Sequence, residues 1–216
     1  GVCKIHTYCL NVNRRTQTER SAATRGQLIA AARPLFTEHG FGGVATETIV
    51  KAAGVTRGAL YHQFADKTEL FAAVVEEVEQ GITGHIAEVV ATSGLEDPME
   101  AMKLGTEAWL DACGDPEVQQ IILIEAPAVL GWERWRDIGM RYGIGLVEGM
   151  LNQAIEVGSV PDQPVSPLAH ILIGAMDEAA LYVTRADDQE LARREAGEII
   201  SRLIDAVATG PGSAQA

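Results

Sequence analysis

The sequence has 216 residues, of which 47% are hydrophobic and 22% are charged, and its formal net charge is -13. These values are typical of a globular chain with one large domain or two small ones, and they exclude a disordered protein. No apolar run approaches the roughly 18 residues that cross a bilayer and no secretory signal is recognisable, so we expect a soluble, cytoplasmic protein without a membrane partner.

The N-terminal segment CKIHTYC contains two of the three cysteines. It spaces Cys3, His6 and Cys9 evenly, but a fourth ligand at matching spacing is absent, which disfavours zinc. A small, odd number of cysteines also disfavours a disulfide framework and favours a reducing compartment. We therefore predict a flexible extension over residues 1–20 without a metal or cofactor. Residues 1–12, whether vector-derived or a leader, are expected to be dispensable.

Helical periodicity begins after this extension. In AATRGQLIAAARPLFTEHG the apolar residues recur every three or four positions, and Gly40 ends the run. Pro34 removes one backbone donor inside this first helix and predicts a bend. Thr46 is predicted to cap a short second helix that ends at Ala53, with Gly54 supplying the left-handed stop.

Two further helices follow closely. Thr56 is expected to cap a third helix that runs to about Gln63. Asp66 is expected to cap a fourth helix, with Glu69 as its capping-box partner, and this helix runs to about Val90.

The segment ATSGLEDP is the first clear break in the helical pattern. Beyond it, apolar periodicity predicts five more helices, over residues 98–113, 116–126, 132–158, 167–185 and 189–208. Ser166 and Pro167 form a typical N-cap and first-turn pair, and residues 210–216 have the composition of a disordered tail. No alternating β pattern is present, so the predicted fold class is all-α.

Residues 46–65 have the pattern of a helix-turn-helix, in which two short helices meet through small residues at a glycine turn. The second helix of such a motif enters the major groove of DNA and contacts bases with its N-terminal residues. Arg57 lies at that end and can hydrogen-bond a guanine edge in a bidentate manner. Gly58 and Ala59 are small enough for the backbone to approach the groove floor.

The remaining candidate DNA contacts are hydroxyl, imidazole or cationic groups near the same helix. Such groups donate to phosphate oxygens, which fixes the register of the protein without reading the sequence. They are Arg25, Thr46, Thr56, Tyr61, His62 and Lys67. The charge distribution favours this assignment, because residues 1–67 carry a net charge of +5 and the remainder carries -18. Only the local field matters within a Debye length of about 8–10 Å.

Two short helices around a glycine also occur in proteins that do not bind DNA, so the motif alone leaves the function open. The sequence, however, resembles the TetR family of bacterial regulators over residues 22–75. ALYHQFADKTELF looks like the family's Tyr-His-x-Phe, Lys and Leu-Phe signature, ATETIVKAAGVTRGALY is similar to its helix-turn-helix core, and AARPLFTEHGF to its first helix. Pro34 departs from the family pattern, which puts the straightness of the first helix in doubt.

The resemblance implies a molecule with two parts. A helix-turn-helix DNA-binding domain, built on three helices, is expected over residues 21–82. A larger helical bundle that binds a small-molecule effector and forms the homodimer is expected over residues 83–209.

Two helices of the second part are candidates for the dimer interface. The segment PLAHILIGAMDEAALYVTR is apolar on nearly every side, so it must be covered both by its own core and by a partner. The helix over residues 189–208 carries a single apolar stripe. Packing within one chain is the alternative to a four-helix interface. The predicted interface residues are Ile171, Ala175, Ile199, Ile200, Leu203 and Ile204.

The second part also contains residue types that commonly line pockets in helix bundles. The candidates for an effector pocket are Met102, Trp109, Trp132, Trp135, Tyr142 and His170. For any one of them, a place in the core or in the interface is the stronger alternative. We expect an apolar or aromatic effector.

No catalytic motif is recognisable. GIGLVEG has the wrong spacing for a dinucleotide fingerprint, and neither GxSxG nor HExxH occurs, so we expect no enzyme. The favoured function is a repressor that binds a pseudo-palindromic, double-stranded DNA operator as a homodimer and is released by its effector. A DNA-binding activator, a regulator controlled by a partner protein, and a helical carrier or enzyme without DNA binding are the alternatives.

Overall fold

The computed structural model describes the backbone of residues 4–209 and the side chains of residues 17–208. The predicted tail over residues 210–216 and the side chains of Cys3, His6 and Cys9 therefore lie outside the described residues. Within the described part the secondary structure is helical and contains no strand, which confirms the all-α prediction. No helix of this part is both long enough and apolar enough to cross a membrane.

The helices of residues 4–209 are joined by short turns. They are α1 (Lys4–Gly43), α2 (Thr46–Ala52), α3 (Arg57–Gln63), α4 (Lys67–Thr92), α5 (Pro98–Ala112), α6 (Pro116–Val118), α7 (Ala126–Leu130), α8 (Trp132–Glu156), α9 (Val165–Arg185) and α10 (Gln189–Thr209), with a π-helical segment, Gln119–Glu125, between α6 and α7. The chain divides into two compact units, one up to Val74 and one from Val75 onward. This boundary lies inside α4, earlier than the boundary at residues 82 and 83 that the sequence predicted.

Helix α1 begins at Lys4, so the backbone of residues 4–20, in the segment predicted to be a flexible extension, is helical. Adding a residue to an existing helix gains a hydrogen bond without a new nucleation cost, which favours such a continuation. Gly40 interrupts α1 with φ 67° and ψ 167°, as predicted for the end of the first helix. Pro34 lies inside α1 and has helical backbone angles.

The predicted caps of α3 and α4 are confirmed. The Thr56 hydroxyl accepts a hydrogen bond from the Ala59 amide at 3.1 Å, and the Asp66 carboxylate accepts one from the Glu69 amide at 2.9 Å. Each cap satisfies an amide that has no partner within its own helix. These two caps therefore fix the residues at which α3 and α4 begin.

Two other predicted starts were wrong. The N-cap of α2 is Ala45, which has extended backbone angles, so Thr46 already lies inside the helix. Helix α9 begins at Val165 after Pro164, which places Ser166 and Pro167 in its first turn rather than at its start. Proline is tolerated throughout the first turn because those amides have no partner within the helix.

The first unit has a small aromatic core between α1 and the start of α4. Phe36, Phe41 and Phe71 pack with ring centroids 5.2 to 5.9 Å apart. Ile49 of α2 and Leu60 of α3 are fully buried in the same unit. Burial of such side chains stabilises the fold by about 1.5–3 kcal/mol each, and it fixes which face of α3 is left for solvent.

The second unit is a helical bundle with its own core, in which α5, α8, α9 and α10 pack against one another. Met102, Leu151 and Leu172 contribute to this core from three of these helices, together with Ile200 and Ile204 of α10. The rest of α4, from Val75 onward, belongs to the same unit.

Candidate DNA-binding and effector sites

The exposed face of α3 brings together the residues that were predicted to contact DNA. Arg57, Gly58, Tyr61 and His62 are exposed, whereas Ala59 is half-buried. Leu60 anchors the opposite face in the core. Because α3 has only seven residues and buries the side that carries Leu60, the residues on the other side of the helix are left exposed.

Arg57 is held at the N-terminal end of α3 by two neighbours. Its Nη1 donates to Glu47 Oε1 at 2.8 Å, and its guanidinium lies 5.6 Å from the centre of the Tyr61 ring. The hydrogen bond with Tyr61 and the charge of Glu47 raise the pKa of Arg57. Sequence reasoning missed Glu47, although an acidic residue in the first turn of α2 facing a basic helix tip was a visible signal.

Gly58 has no role within the protein that requires a glycine. A Cβ at this position would meet only the Thr56 hydroxyl, at 3.9 Å. The exposed backbone at Gly58 is therefore free of side-chain cover, as a close approach to an external surface requires.

Lys67 and Arg25 have contacts inside the fold that the sequence did not predict. The Lys67 ammonium donates to the carbonyl oxygens of Phe41 at 2.7 Å and Val44 at 2.9 Å, and it lies 4.1 Å from the centre of the Phe41 ring. The Arg25 guanidinium lies 4.5 Å from the centre of the Phe64 ring. Lys67 thus has two of its three donors engaged by the turn after α1, so a phosphate contact would use the third.

We expect Lys67→Ala to lower the free energy of unfolding by about 2–4 kcal/mol, because two hydrogen bonds from a charged donor are lost and two carbonyls lose their partner. Chemical denaturation measures this loss. Lys51→Ala removes an exposed lysine of α2 and should change stability by less than about 0.5 kcal/mol. An unchanged stability of Lys67→Ala with uniformly weaker DNA binding would instead support a phosphate-contact role alone.

The second unit contains a cavity of about 90 Å³ between α4, α5, α8 and α9. Its walls are mostly apolar. The lining residues are Glu79, Thr83, Ile86, Met102, Gly105, Thr106, Trp109, Gly139, Gly143, Leu146, Val147, Met150, Ile173, Met176 and Asp177. Of the predicted pocket residues, Met102 and Trp109 therefore line the cavity.

The other four predicted pocket residues lie elsewhere. Trp132 is 60% exposed, and Trp135 is buried against it with ring centroids 4.8 Å apart. Tyr142 is half-buried outside the lining, and His170 is exposed, with Nδ1 2.9 Å from the Ser166 carbonyl oxygen. Trp135 lies one helical turn before the first lining residue of α8, and His170 lies one turn before the first lining residue of α9. Helical periodicity therefore predicted which face of each helix turns inward, but not the position of the cavity along the helix axis.

Two carboxylates in the cavity wall, the buried Glu79 and the half-buried Asp177, were missed by sequence reasoning. Glu79 of α4 is 5% exposed, and burial, with a further contribution from the charge of Asp177, raises its pKa to about 7. Burial also raises the pKa of Asp177 to about 6, although the Arg136 guanidinium, which donates to its carboxylate, opposes this shift. The available signal was an acidic residue in the apolar stripe between Val75 and Ile82.

We expect Glu79→Gln to stabilise the free protein at pH 8 by on the order of 1–3 kcal/mol and to have little effect at pH 5. The raised pKa means that the folded state holds the proton more tightly than the unfolded chain does. The contribution of Glu79 to the free energy of unfolding is therefore most favourable below the pKa of about 4.3 in the unfolded chain, and it is lost as the pH rises through 7. Urea unfolding at several pH values measures this. Glu76→Gln, whose carboxylate pairs with Arg141 at the surface, should keep the wild-type pH dependence.

One face of α9 and α10 carries large apolar side chains in contact with solvent. Ile171, Ile199 and Leu203, all predicted interface residues, are exposed, and so is Tyr182, which the sequence analysis missed. Ala175 is half-buried beside a shallow groove between the two helices. Ile200 and Ile204, the other two predicted interface residues of α10, are buried in the core of their own unit, and Ile200 also lines this groove.

Comparison with protein families gives two matches along the chain. Residues 28–74 match the model of bacterial regulatory proteins of the tetR family, and residues 99–207 match the model of a tetracycline repressor-like C-terminal domain. The transposon Tn10 TetC protein of Escherichia coli is 26% identical over 170 residues, which cover 79% of this chain and 85% of TetC. Two further curated relatives match over less than half of their length: the transcriptional repressor AcnR of Corynebacterium diphtheriae is 37% identical over 88 residues, and the nucleoid occlusion factor SlmA of Actinobacillus pleuropneumoniae is 48% identical over 52 residues.

Solved structures give a similar result. A TetR-family transcriptional regulator from Pectobacterium atrosepticum superposes with a TM-score of 0.77 at 28% identity, over 89% of this chain and 98% of that one. RolR in complex with resorcinol superposes with a TM-score of 0.69 at 20% identity, over 90% of this chain and 97% of that one, which shows a common fold.

Proposed function

The chain belongs to the TetR family of bacterial transcriptional regulators, which bind DNA and are not enzymes, and on this premise we propose that it is a repressor that binds a pseudo-palindromic operator as a homodimer. A small effector releases it from the operator. The protein acts in the cytoplasm, where its DNA is.

The exposed face of α3 is the observation that carries this proposal. Arg57 presents a guanidinium at the helix tip, and Gly58 next to it leaves the backbone uncovered. Tyr61 and His62 follow on the same exposed side and can donate to phosphates. A short helix with a fixed buried side and this polar side fits a major groove, where Arg57 contacts a guanine edge.

The apolar face of α9 and α10 supports a homodimer. A second copy that covers Ile171, Ile199 and Leu203 removes apolar area from water and places two α3 helices on one DNA duplex. Half-sites of the operator then lie one helical turn apart or a multiple of it, about 34–36 Å centre to centre.

Helix α4 supplies a route from the effector to the DNA. Its residues Glu79, Thr83 and Ile86 line the cavity of the second unit, whereas its first turns, with Leu70 and Phe71 buried, belong to the DNA-binding unit. An effector with an apolar body that fits one position of α4 better than another shifts the equilibrium between operator-binding and released states. The shift equals its difference in affinity for the two states.

Selection of bound fragments from genomic DNA, followed by affinity measurements across a salt series, tests the proposal. We expect one palindromic motif, a preference of at least about 10³-fold over random duplex, and a shift to weaker binding at higher salt. Equal affinity for the selected and random duplexes would leave a carrier without DNA binding as the better account. A reporter gene under the selected operator distinguishes a repressor from an activator, because a repressor lowers its transcription and an activator raises it.

A further inference from the structure

We propose that the cavity selects an effector with a compact apolar body and a protonated amine, and that Glu79 is the counter-ion of that amine. This inference names the ligand class of the proposed effector site and therefore rests on the proposed function.

Among the described residues that line the cavity, the ionisable ones are two carboxylates and none is basic. The charge of Asp177 is matched by Arg136 of α8, which donates to it. The hydroxyl proton of Thr106 is already engaged by the Met102 carbonyl oxygen at 3.0 Å. The Glu79 carboxylate therefore remains as the group whose charge the protein does not balance.

Glu79 is 95% removed from solvent and has neither a hydrogen-bond donor nor an ion-pair partner among the described residues. A buried carboxylate without a partner costs several kcal/mol, which a folded protein normally avoids with an Arg or Lys. Opposite the carboxylate stands Gly139, and a Cβ there would lie 3.8 Å from Oε1. The absence of a side chain on Gly139 leaves room beside Oε1 for a ligand group.

An ammonium group supplies what this site lacks. It carries one positive charge and donates charge-assisted hydrogen bonds, which are about twice as strong as neutral ones. The rest of the lining, with Ile86, Leu146 and Met150, offers apolar contacts to the body of the ligand. A neutral hydroxyl compound gains the apolar contacts but leaves the carboxylate charge unbalanced.

The ionisable groups around Glu79 predict how this binding depends on pH. Asp177 of α9 is acidic and paired with Arg136 of α8, Glu76 and Arg141 pair with each other, and Cys113 after α5 has its pKa raised by burial and stays neutral. In the protein without a ligand the pKa of Glu79 is about 7. A protonated amine binds only the charged carboxylate, so below pH 7 its binding must displace a proton from Glu79. Its affinity should fall by up to about tenfold for each pH unit below 7.

Calorimetry with benzylammonium and benzyl alcohol on the full chain tests the proposal, because the two compounds share one apolar body. At pH 8 we expect benzylammonium to bind the wild type at least tenfold more tightly than benzyl alcohol does. Glu79→Gln should weaken benzylammonium at least tenfold and leave benzyl alcohol unchanged, while Glu76→Gln behaves as the wild type. Because Glu79→Gln is expected to be at least as stable as the wild type at this pH, a loss of binding does not report unfolding.

Three results would overturn this inference: equal affinity for the two compounds, unchanged amine affinity in Glu79→Gln, or no saturable binding of either compound. Operator affinity measured with and without each compound separates it from the proposed function. If benzylammonium binds through Glu79 without changing operator affinity, the ligand class stands and the regulatory role of the cavity fails. If benzyl alcohol alone releases the operator, the regulatory role stands and the ligand class fails.

Discussion

Arg57→Ala is expected to weaken operator binding by roughly 1–3 kcal/mol per half-site, since a bidentate contact with guanine is lost in each. A homodimer carries the substitution twice, so the loss is roughly 2–6 kcal/mol, or about 30-fold to 10⁴-fold in affinity. Selectivity should relax at one base pair in each half-site. Binding of the variant to a set of operators that differ at single positions measures both effects.

The environment of Arg57 makes this a test of recognition rather than of folding. Its side chain and that of Glu47 are each 65% exposed, so removing their contact should change the free energy of unfolding by less than about 0.5 kcal/mol. Glu47→Gln is the matched control, because it removes the same ion pair and keeps the guanidinium. It should keep the wild-type base preference at every position. An Arg57→Ala protein whose base preferences match the wild type would show that Arg57 does not read a base.

Helix α3 could be predicted from the sequence because its determinants are local. A cap at Thr56, a left-handed glycine at Gly54, and a buried residue at Leu60 specify the start, the turn and the inward face of α3 within seven residues. Side-chain direction within a short helix then follows from the wheel. The fold contacts of Lys67 were missed because its partners, Phe41 and Val44, lie more than twenty residues earlier in the chain.

The cavity depends on distant parts of the chain, and the sequence predicted it only in part. Periodicity identifies which face of α8 or α9 turns inward. The position of the cavity along each helix axis depends on how the helices pack against one another. Trp135 and His170 therefore fell just outside the lining. The apolar stripe of α4 marks Glu79 as an acidic residue on an inward face, but its lack of a partner could not be predicted, because that is a property of the assembled bundle.

Leu203→Glu is expected to convert the proposed homodimer into a monomer. Leu203 is 46% exposed in one copy and lies on the face of α9 and α10 that a second copy is proposed to cover. Covering the exposed half of this leucine stabilises by roughly 0.7–1.5 kcal/mol, and the twofold axis of a dimer doubles the loss to roughly 1.5–3 kcal/mol. The dissociation constant of the dimer should rise by at least about 10²-fold, because the buried carboxylates add a desolvation cost. Sedimentation equilibrium across a range of concentrations measures it.

Leu95→Glu is the control for Leu203→Glu, since Leu95 is also 46% exposed but lies in the loop between α4 and α5. Both variants place a carboxylate at a half-exposed leucine, so a general effect of the charge on folding appears in both. Only Leu203→Glu should lose the dimer and, with it, the tight binding of a two-half-site operator, while a single half-site is bound as weakly as by the wild type. A wild-type protein that is monomeric at working concentrations would contradict the proposed homodimer. A Leu203→Glu protein that remains dimeric would place the interface elsewhere, because a homodimer cannot retain two uncompensated carboxylates in its interface without a large loss of affinity.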